Sequence, residues 1–140
     1  MLETHLIAQK SQLKQFITLL EQERLLLEAR NITALETLLQ QKQLLLQQIA
    51  DLDKTIEINT QEHPLIKDGG TLYPLRLELT DLLTECKQRN EINGKAIALS
   101  LESNNRFAQL LNSVLNRNNI TYDQHGKTKT ASRLGKGFTA

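Results

Sequence analysis

The segment Leu2–Ala29, with the sequence LETHLIAQKSQLKQFITLLEQERLLLEA, decides the fold class of this chain of 140 residues. Leucine returns in it at a spacing of seven: Leu6, Leu13, Leu20 and Leu27. This spacing places the four side chains along one face of an α-helix with the period of a coiled coil. Neither glycine nor proline occurs before Pro64, so the sequence predicts uninterrupted helix formation in this half of the chain.

A second helical pattern begins after a short break at Asn31-Ile32-Thr33. Thr33 and Glu36 match a capping box, in which each side chain accepts a hydrogen bond from the other residue's free backbone amide. Leucine and isoleucine then continue at helical spacing. We therefore predict helices over about 2–29 and 34–61, joined so closely that they form an antiparallel hairpin.

A third helical pattern follows a loop that holds Pro64 and Gly69-Gly70. Thr71 can cap the next helix, and Pro74 is tolerated in its first turn. The stripe of this helix then recurs mostly in alternating steps of four and three: Leu75, Leu79, Leu82, Cys86, Asn93, Ile97, Ser100, Asn104, Phe107, Leu111 and Val114. We predict one helix over about 73–117, roughly 65 Å long against about 42 Å for each arm of the hairpin. Its C-terminal half should therefore extend beyond the hairpin.

The composition favours an all-α fold and excludes several other classes. The chain contains 28 leucines and only 4% aromatic residues, whereas sheets normally use more β-branched and aromatic side chains. No apolar run is long enough for a transmembrane span or a signal sequence, and the single cysteine fits a reducing compartment. We expect a cytoplasmic protein with an antiparallel helical hairpin plus a longer third helix, in a coiled-coil-like three-helix bundle.

The charges divide the chain into a helical domain over 1–117 and a flexible basic tail over 118–140. Residues 1–115 hold 12 basic and 15 acidic side chains, whereas the remaining residues hold five basic side chains against Asp123 alone. These cations are too dilute for a nucleic-acid-binding patch. Tyr122 stands out in the tail, because a rigid, amphipathic ring with no local core to join is often an anchor for a partner.

Residues that could carry chemistry do not converge in the sequence. His5, His63 and His125 lie in three separate segments, and Cys86 lies on the apolar stripe of the third helix. Gly69-Gly70 lacks the lysine of a phosphate-binding loop. The sequence therefore predicts no enzymatic activity, no metal site and no cofactor.

The apolar face in the C-terminal half of the third helix allows more than one interpretation. If the helix outreaches the hairpin, a face that includes Ile97, Leu101 and Phe107 would be exposed and could bind a helix of another protein. The same spacing is typical of a core, and a homodimer could also cover the excess length. Periodicity alone leaves these interpretations open.

Several motifs resemble the flagellar export chaperones of the FlgN type. The second helix carries Leu38-Leu39-x-x-Lys42-x-x-Leu45-Leu46, and the third carries Asn90-x-x-Asn93-Gly94 and then Asn104-Asn105. The segment Ile120-Thr121-Tyr122-Asp123-Gln124-His125-Gly126-Lys127-Thr128 is similar to the family's Tyr-x-x-x-Gly-x-Thr tail. The resemblance covers essentially the full chain.

This resemblance implies a cytoplasmic chaperone of type III export that binds hook-associated proteins, keeps them unpolymerised and brings them to the export gate. It implies that C-terminal helices of those proteins bind the C-terminal part of the third helix, at positions corresponding to Ile97, Leu101, Asn104, Phe107, Leu111 and Leu115. It also implies that Tyr122 docks on the cytoplasmic domain of the export gate component FlhA, which is the protein's only link to the membrane. The alternative is a structural coiled-coil protein whose third helix closes a homo-oligomer.

Overall fold

The computed structural model describes residues 2–60 and 70–120, except for the side chains of residues 58–60. Within these ranges all the regular secondary structure is helical, as the composition and the periodicity predicted. There are four helices in this part of the chain: α1 (Leu2–Ala29), α2 (Ile32–Thr60), α3 (Tyr73–Glu102) and α4 (Arg106–Arg117). Most of the predicted basic tail, including Tyr122, lies outside the described residues.

The helices α1 and α2 form an antiparallel pair. Only two residues separate them, so the chain has to reverse direction between one helix and the next. Glu23 near the end of α1 meets Lys42 near the start of α2, which is the pairing that an antiparallel arrangement requires.

The helix α3 runs parallel to α1 and packs against it. Near the start of both helices, Lys10 Nζ lies 2.7 Å from Glu78 Oε1. Further along, the Cys86 thiol donates to the Leu13 carbonyl oxygen with an Sγ to O distance of 3.5 Å. In these contacts the residue numbers of both partners increase together, so α1 and α3 run in the same direction.

The helices α1, α2 and α3 pack against one another through buried residues at heptad spacing. The apolar residues among these form what we call the first cluster. In α1, Leu6, Leu13 and Leu20 are almost completely buried, as their spacing of seven residues predicted. The other buried members of this cluster come from all three helices and the residue before α3: Phe16, Leu19, Leu38, Leu45, Leu46, Ile49, Ile56, Leu72, Leu79, Leu83 and Cys86. Burial of such side chains contributes about 1.5–3 kcal/mol each, so this cluster is the principal stabilising element of the fold.

A group of buried polar side chains, here called the polar layer, joins the three long helices. Lys42 Nζ donates to both carboxylate oxygens of Glu23 at 3.0 Å. Asn93 Nδ2 donates to Glu23 Oε1 at 2.9 Å and to the Leu20 carbonyl oxygen at 2.8 Å. A buried ion pair is tolerated only when its members are matched, so this layer fixes one register of α1, α2 and α3.

The two caps predicted from the sequence are wrong. Asn31, not Thr33, caps α2, because its Oδ1 accepts from the Ala34 amide at 3.2 Å and the helix already begins at Ile32. No side chain caps α3. Leu72 occupies the cap position instead of Thr71 and is buried in the first cluster, so packing rather than a hydrogen bond fixes the start of this helix.

The single third helix predicted over about 73–117 is also wrong, because the chain turns at Ser103-Asn104-Asn105. The helix α3 has 30 residues, against 28 in α1 and 29 in α2. All three are therefore roughly 45 Å long, and α3 has no excess length. The segment beyond the turn forms α4, which packs against α2 and α3. The apolar face that we expected to extend beyond the hairpin is covered by the protein's own helices.

Candidate functional site

A second apolar cluster lies where the turn between α1 and α2 meets α4. Its buried members, here called the second cluster, are Leu35, Leu39, Ile97, Leu111, Val114, Leu115 and Ile120. Leu26, Leu27, Ile32, Leu101 and Phe107 are partly buried against them. In α3 the polar-layer residue Asn93 lies between Cys86 of the first cluster and Ile97 of the second. The protein therefore has two apolar cores with a polar layer between them.

The helix α4 is amphipathic and depends on the second cluster for its stability. It has 12 residues, of which Ala108, Leu111, Val114 and Leu115 are buried. Isolated helices of this length are marginal in water, so α4 is held by its apolar face and not by intrinsic propensity. The groove that receives this face is formed by Leu35 and Leu39 of α2 together with Ile97 and Leu101 of α3, and we call it the α4 groove.

Two adjacent asparagines make the turn between α3 and α4. Asn104 has a φ of 53°, in the left-handed region that asparagine adopts more readily than other side chains with a Cβ atom. Asn105 is the N-cap of α4, and its Oδ1 accepts from the Ala108 amide at 2.8 Å. The turn between α1 and α2 has the same form, with Arg30 at a φ of 54° followed by the cap Asn31.

The polar contacts between α4 and α2 lie at the surface. Arg117 Nη2 lies 2.8 Å from Glu36 Oε2, and more than half of the arginine side chain is exposed. Gln40 Nε2 donates to Asn118 Oδ1 at 3.3 Å, and the side chain of Gln43 donates to the Asn118 carbonyl oxygen at 3.1 Å. Exposed ion pairs contribute about 0–1 kcal/mol, so α4 is retained mainly by apolar burial.

The structure brings together most of the side chains that the family resemblance assigned to substrate binding. Ile97, Leu111 and Leu115 are buried in the second cluster, and Leu101 and Phe107 are partly buried at its edge. The guanidinium carbon of Arg30 lies 5.9 Å from the centre of the Phe107 ring, within range of a cation–π contact. Asn104 is exposed and belongs to the turn rather than to the apolar face.

Sequence reasoning missed the other half of this cluster. Leu35 and Leu39 were assigned only to the stripe that holds the hairpin together, although they also form the floor of the α4 groove. Ile120, placed in the predicted tail, is buried, and its amide donates to the Leu115 carbonyl oxygen at 2.9 Å. The signal that could have located the turn is the pair Asn104-Asn105, which supplies a left-handed residue and then a helix cap.

Elsewhere the described residues show little that could carry chemistry. Burial raises the pKa of the Cys86 thiol to about 12, and the nearby Glu85 charge acts in the same direction, so this thiol is a poor nucleophile. A hydrogen bond from Arg24 is the main cause of the lowered pKa of the half-buried Glu21 carboxyl. Among residues 2–60 and 70–120 no three histidine, cysteine or carboxylate side chains are grouped to hold a metal ion. No helix in this part of the chain is long and apolar enough to cross a membrane.

The comparisons with known proteins give one match. No curated protein and no solved structure is significantly similar to the chain. The sequence model of the FlgN protein family matches residues 1–130, a range that includes all four helices, both asparagine turns and Tyr122. Proteins of that family act as chaperones in flagellar protein export rather than as enzymes. The chain therefore belongs to the FlgN family of flagellar export chaperones.

Proposed function

We propose that this protein binds hook-associated proteins in the cytoplasm, keeps them unpolymerised, and delivers them to the export gate. Family membership supports the general chaperone role. The observation that carries the proposal further is the α4 groove, an apolar surface at one end of the molecule that holds an amphipathic helix. A surface built to hold one such helix has the chemistry needed to hold the terminal helix of a client.

The client-binding residues in this proposal are Ile97, Leu101, Asn104, Phe107, Leu111 and Leu115. In the described structure the apolar members of this set contact the protein's own helices, so client binding requires α4 to move away from the groove. Each side chain transferred from water into such an interface contributes about 1.5–3 kcal/mol before the costs of association. The need to open the groove lowers the net affinity, which suits a client that must later be released.

The gate-docking residue in this proposal is Tyr122, acting on the cytoplasmic domain of FlhA. It follows Ile120, which is buried in the second cluster, by two positions. A contact made through Tyr122 would therefore begin directly beside the client-binding surface. Linking two binding events in one chain raises the effective concentration of the second event.

Client binding can be tested with a variant at the edge of the second cluster. Phe107→Ala removes a partly buried ring, and we expect it to weaken binding of a hook-associated protein at least tenfold in a titration. The matched control is Leu99→Ala, because Leu99 is 67% exposed and is not part of the second cluster. Normal affinity of the Phe107 variant would argue against this site, and loss of affinity in the Leu99 variant alone would move the site to another face of α3.

Gate docking needs a separate experiment. We expect Tyr122→Ala to bind the hook-associated protein with unchanged affinity but to lose retention on the immobilised cytoplasmic domain of FlhA. Tyr73→Ala is the matched control, since Tyr73 is the chain's other tyrosine and lies at the start of α3. A Tyr122 variant that binds the client more weakly, or that still binds FlhA, would contradict the assigned role.

The argument from excess helix length is lost for both interpretations, the client-binding chaperone and the structural homo-oligomer, because α3 does not outreach the hairpin. The homo-oligomer, as the alternative, still makes a clear prediction. A structural oligomer remains associated without any client, so sedimentation of the purified chain at low micromolar concentration distinguishes it from a chaperone that awaits its client.

A further inference from the structure

The heptad spacing of α3 continues into α4 without a change of phase, as it would in a single helix, although the chain turns between the two. The stripe of α3 includes Cys86, Asn93 and Ser100, each seven residues from the next. Continuing the same spacing past the turn reaches Phe107 and Val114, which both belong to or pack against the second cluster. A segment that only had to form two separate helices would have no need to keep this phase. The same residues can therefore form either a helix–turn–helix or one continuous heptad helix.

Besides the apolar burial of α4 in its groove, the turned form depends on a small number of local interactions. Asn104 adopts a left-handed conformation that disfavours most residues with a Cβ atom, and Asn105 caps α4. The side chain of Arg117 and the amides of Gln40 and Gln43 add only exposed contacts. If α4 leaves the groove, the turn residues can become helical and recover the backbone hydrogen bonds that the turn interrupts.

The α4 groove defines the kind of helix that it accepts. The occupant presents Ala108, Leu111 and Leu115, a spacing of three and four that places small and leucine side chains on one face. Its C-terminal end carries Arg117, which meets Glu36. A competing helix with leucines at the same spacing and a cation at its C-terminal end would reproduce these contacts.

We infer that α4 is a replaceable occupant of its groove, and that an amphipathic helix of the client takes its place while residues 73–117 extend as one helix. This inference rests on the proposed chaperone function and deepens it, because it names the binding groove and the residues that vacate it. The released face of α4, with Phe107, Leu111 and Val114, then continues the α3 stripe beyond the hairpin and can contact the client as well. The geometry expected from periodicity and the turned geometry observed here are thereby two states of one protein.

The polar layer allows this exchange without general unfolding. The hydrogen bonds of Glu23, Lys42 and Asn93 join α1, α2 and α3 and include no atom of α4, so they do not depend on its position in the groove. The first cluster lies on the other side of this layer and includes no residue of α4. Opening therefore exposes residues of the second cluster.

The exchange can be tested with a labelled peptide of residues 105–120 added to the full-length chain, measured by fluorescence polarisation. In the chain variant Leu111→Asp the protein's own α4 cannot be buried, so we expect the peptide to bind at least tenfold more tightly than to the wild-type chain. A peptide carrying the same Leu111→Asp change is the control and should not bind. Equal, weak binding of the peptide to both chains would overturn the inference.

A second variant keeps the test valid if the Leu111→Asp chain loses helical structure. Asn105→Ala leaves every apolar contact in place and removes only the cap of α4, so we expect about fivefold tighter peptide binding. Unchanged binding by a folded Asn105→Ala chain would overturn the inference. A dimer of this variant, held together by exchange of α4 between copies, would also overturn it by assigning the groove to a second copy.

A reversible crosslink separates this inference from the proposed function. Gln40→Cys with Asn118→Cys places one thiol on each side of the hydrogen bond that now joins α2 to the end of α4, and a short bismaleimide with a reducible disulfide in its linker can join them. After mass spectrometry verifies the crosslink, we expect the crosslinked chain to lose at least tenfold in affinity for a hook-associated protein and to recover when the linker is reduced. Equal binding by both forms would overturn the inference, together with the requirement that α4 leaves its groove, and leave the chaperone role itself standing. If the uncrosslinked chain does not bind the hook-associated protein, the proposed function is wrong. The inference that a client helix occupies the α4 groove is then wrong as well.

Discussion

The buried ion pair of the polar layer gives the sharpest prediction about stability. Replacing Lys42 by methionine keeps most of the side-chain volume but leaves the Glu23 carboxylate with the Asn93 amide as its one hydrogen-bond partner among the described residues. Both members of the pair are almost completely buried, at 2% exposure for Lys42 and 0% for Glu23. An uncompensated buried charge of this kind costs about 3–5 kcal/mol of the free energy of unfolding.

The partner variant should largely reverse that loss. In the double variant Lys42→Met with Glu23→Gln, no charge remains in the layer, and the amide at position 23 can still accept from Asn93. Replacing a buried ion pair by neutral groups of similar volume is often neutral, so we expect the double variant to lie within about 1.5 kcal/mol of the wild type. The two changes are therefore strongly non-additive.

The assay is urea unfolding followed by circular dichroism at 222 nm, with the free energy of unfolding extrapolated to water. Lys10→Met is the matched control, since Lys10 also pairs with a glutamate of another helix, at 2.7 Å, but at the surface. Loss of this surface ion pair should lower the free energy of unfolding by at most about 1 kcal/mol. If Lys42→Met costs no more than Lys10→Met, or if Glu23→Gln fails to restore stability, the reasoning about the polar layer is wrong.

Other predictions address a buried thiol, a helix cap and the groove floor. The Cys86 thiol, with its pKa raised from 9.0 to about 12, should resist alkylation in the native state. Only the unfolded thiol ionises in this interval, so its contribution to stability is complete below pH 9 and is lost toward pH 12; the urea midpoint of the wild type should thus fall more steeply above pH 9 than that of Cys86→Ala. Asn31→Ala should lower the free energy of unfolding by about 1 kcal/mol, whereas Thr33→Ala should have little effect, because only the asparagine caps α2. Leu35→Ala should cost about 2–5 kcal/mol and increase hydrogen exchange in α4 more than in α1, which equal changes in both helices would contradict.

Hydrophobic periodicity predicted a helix over about 2–29, where the structure has α1 over Leu2–Ala29. Leu6, Leu13 and Leu20 made this possible, because every one of these side chains is buried in the first cluster. Where buried positions are all occupied by leucine, the spacing of that residue is enough to predict the helix.

The break after α3 was missed because periodicity reports side-chain faces and not the backbone conformation of single residues. Asn104 lies in the heptad phase, so the pattern gives no sign that its φ is positive. The sequence also could not assign Leu35 and Leu39 to the α4 groove, since the same stripe serves the hairpin and the groove. The partner of Lys42 was missed for another reason: the polar residues of the stripes form pairs only when the register of three helices is known.

The burial of Ile120 has a mechanical consequence for the segment that follows it. Ile120 fixes the root of the C-terminal segment against α2 as long as α4 stays in place. The helix α4 is about 18 Å long, so swinging it into line with α3 would carry that root to a point up to about 36 Å away. An empty chaperone and a loaded one would thus start the C-terminal segment, which carries Tyr122 in its sequence, at different points: beside the α4 groove in the first and beyond the same end of the helical body in the second. A receptor that reaches for this tyrosine could distinguish them by position alone, without touching the cargo.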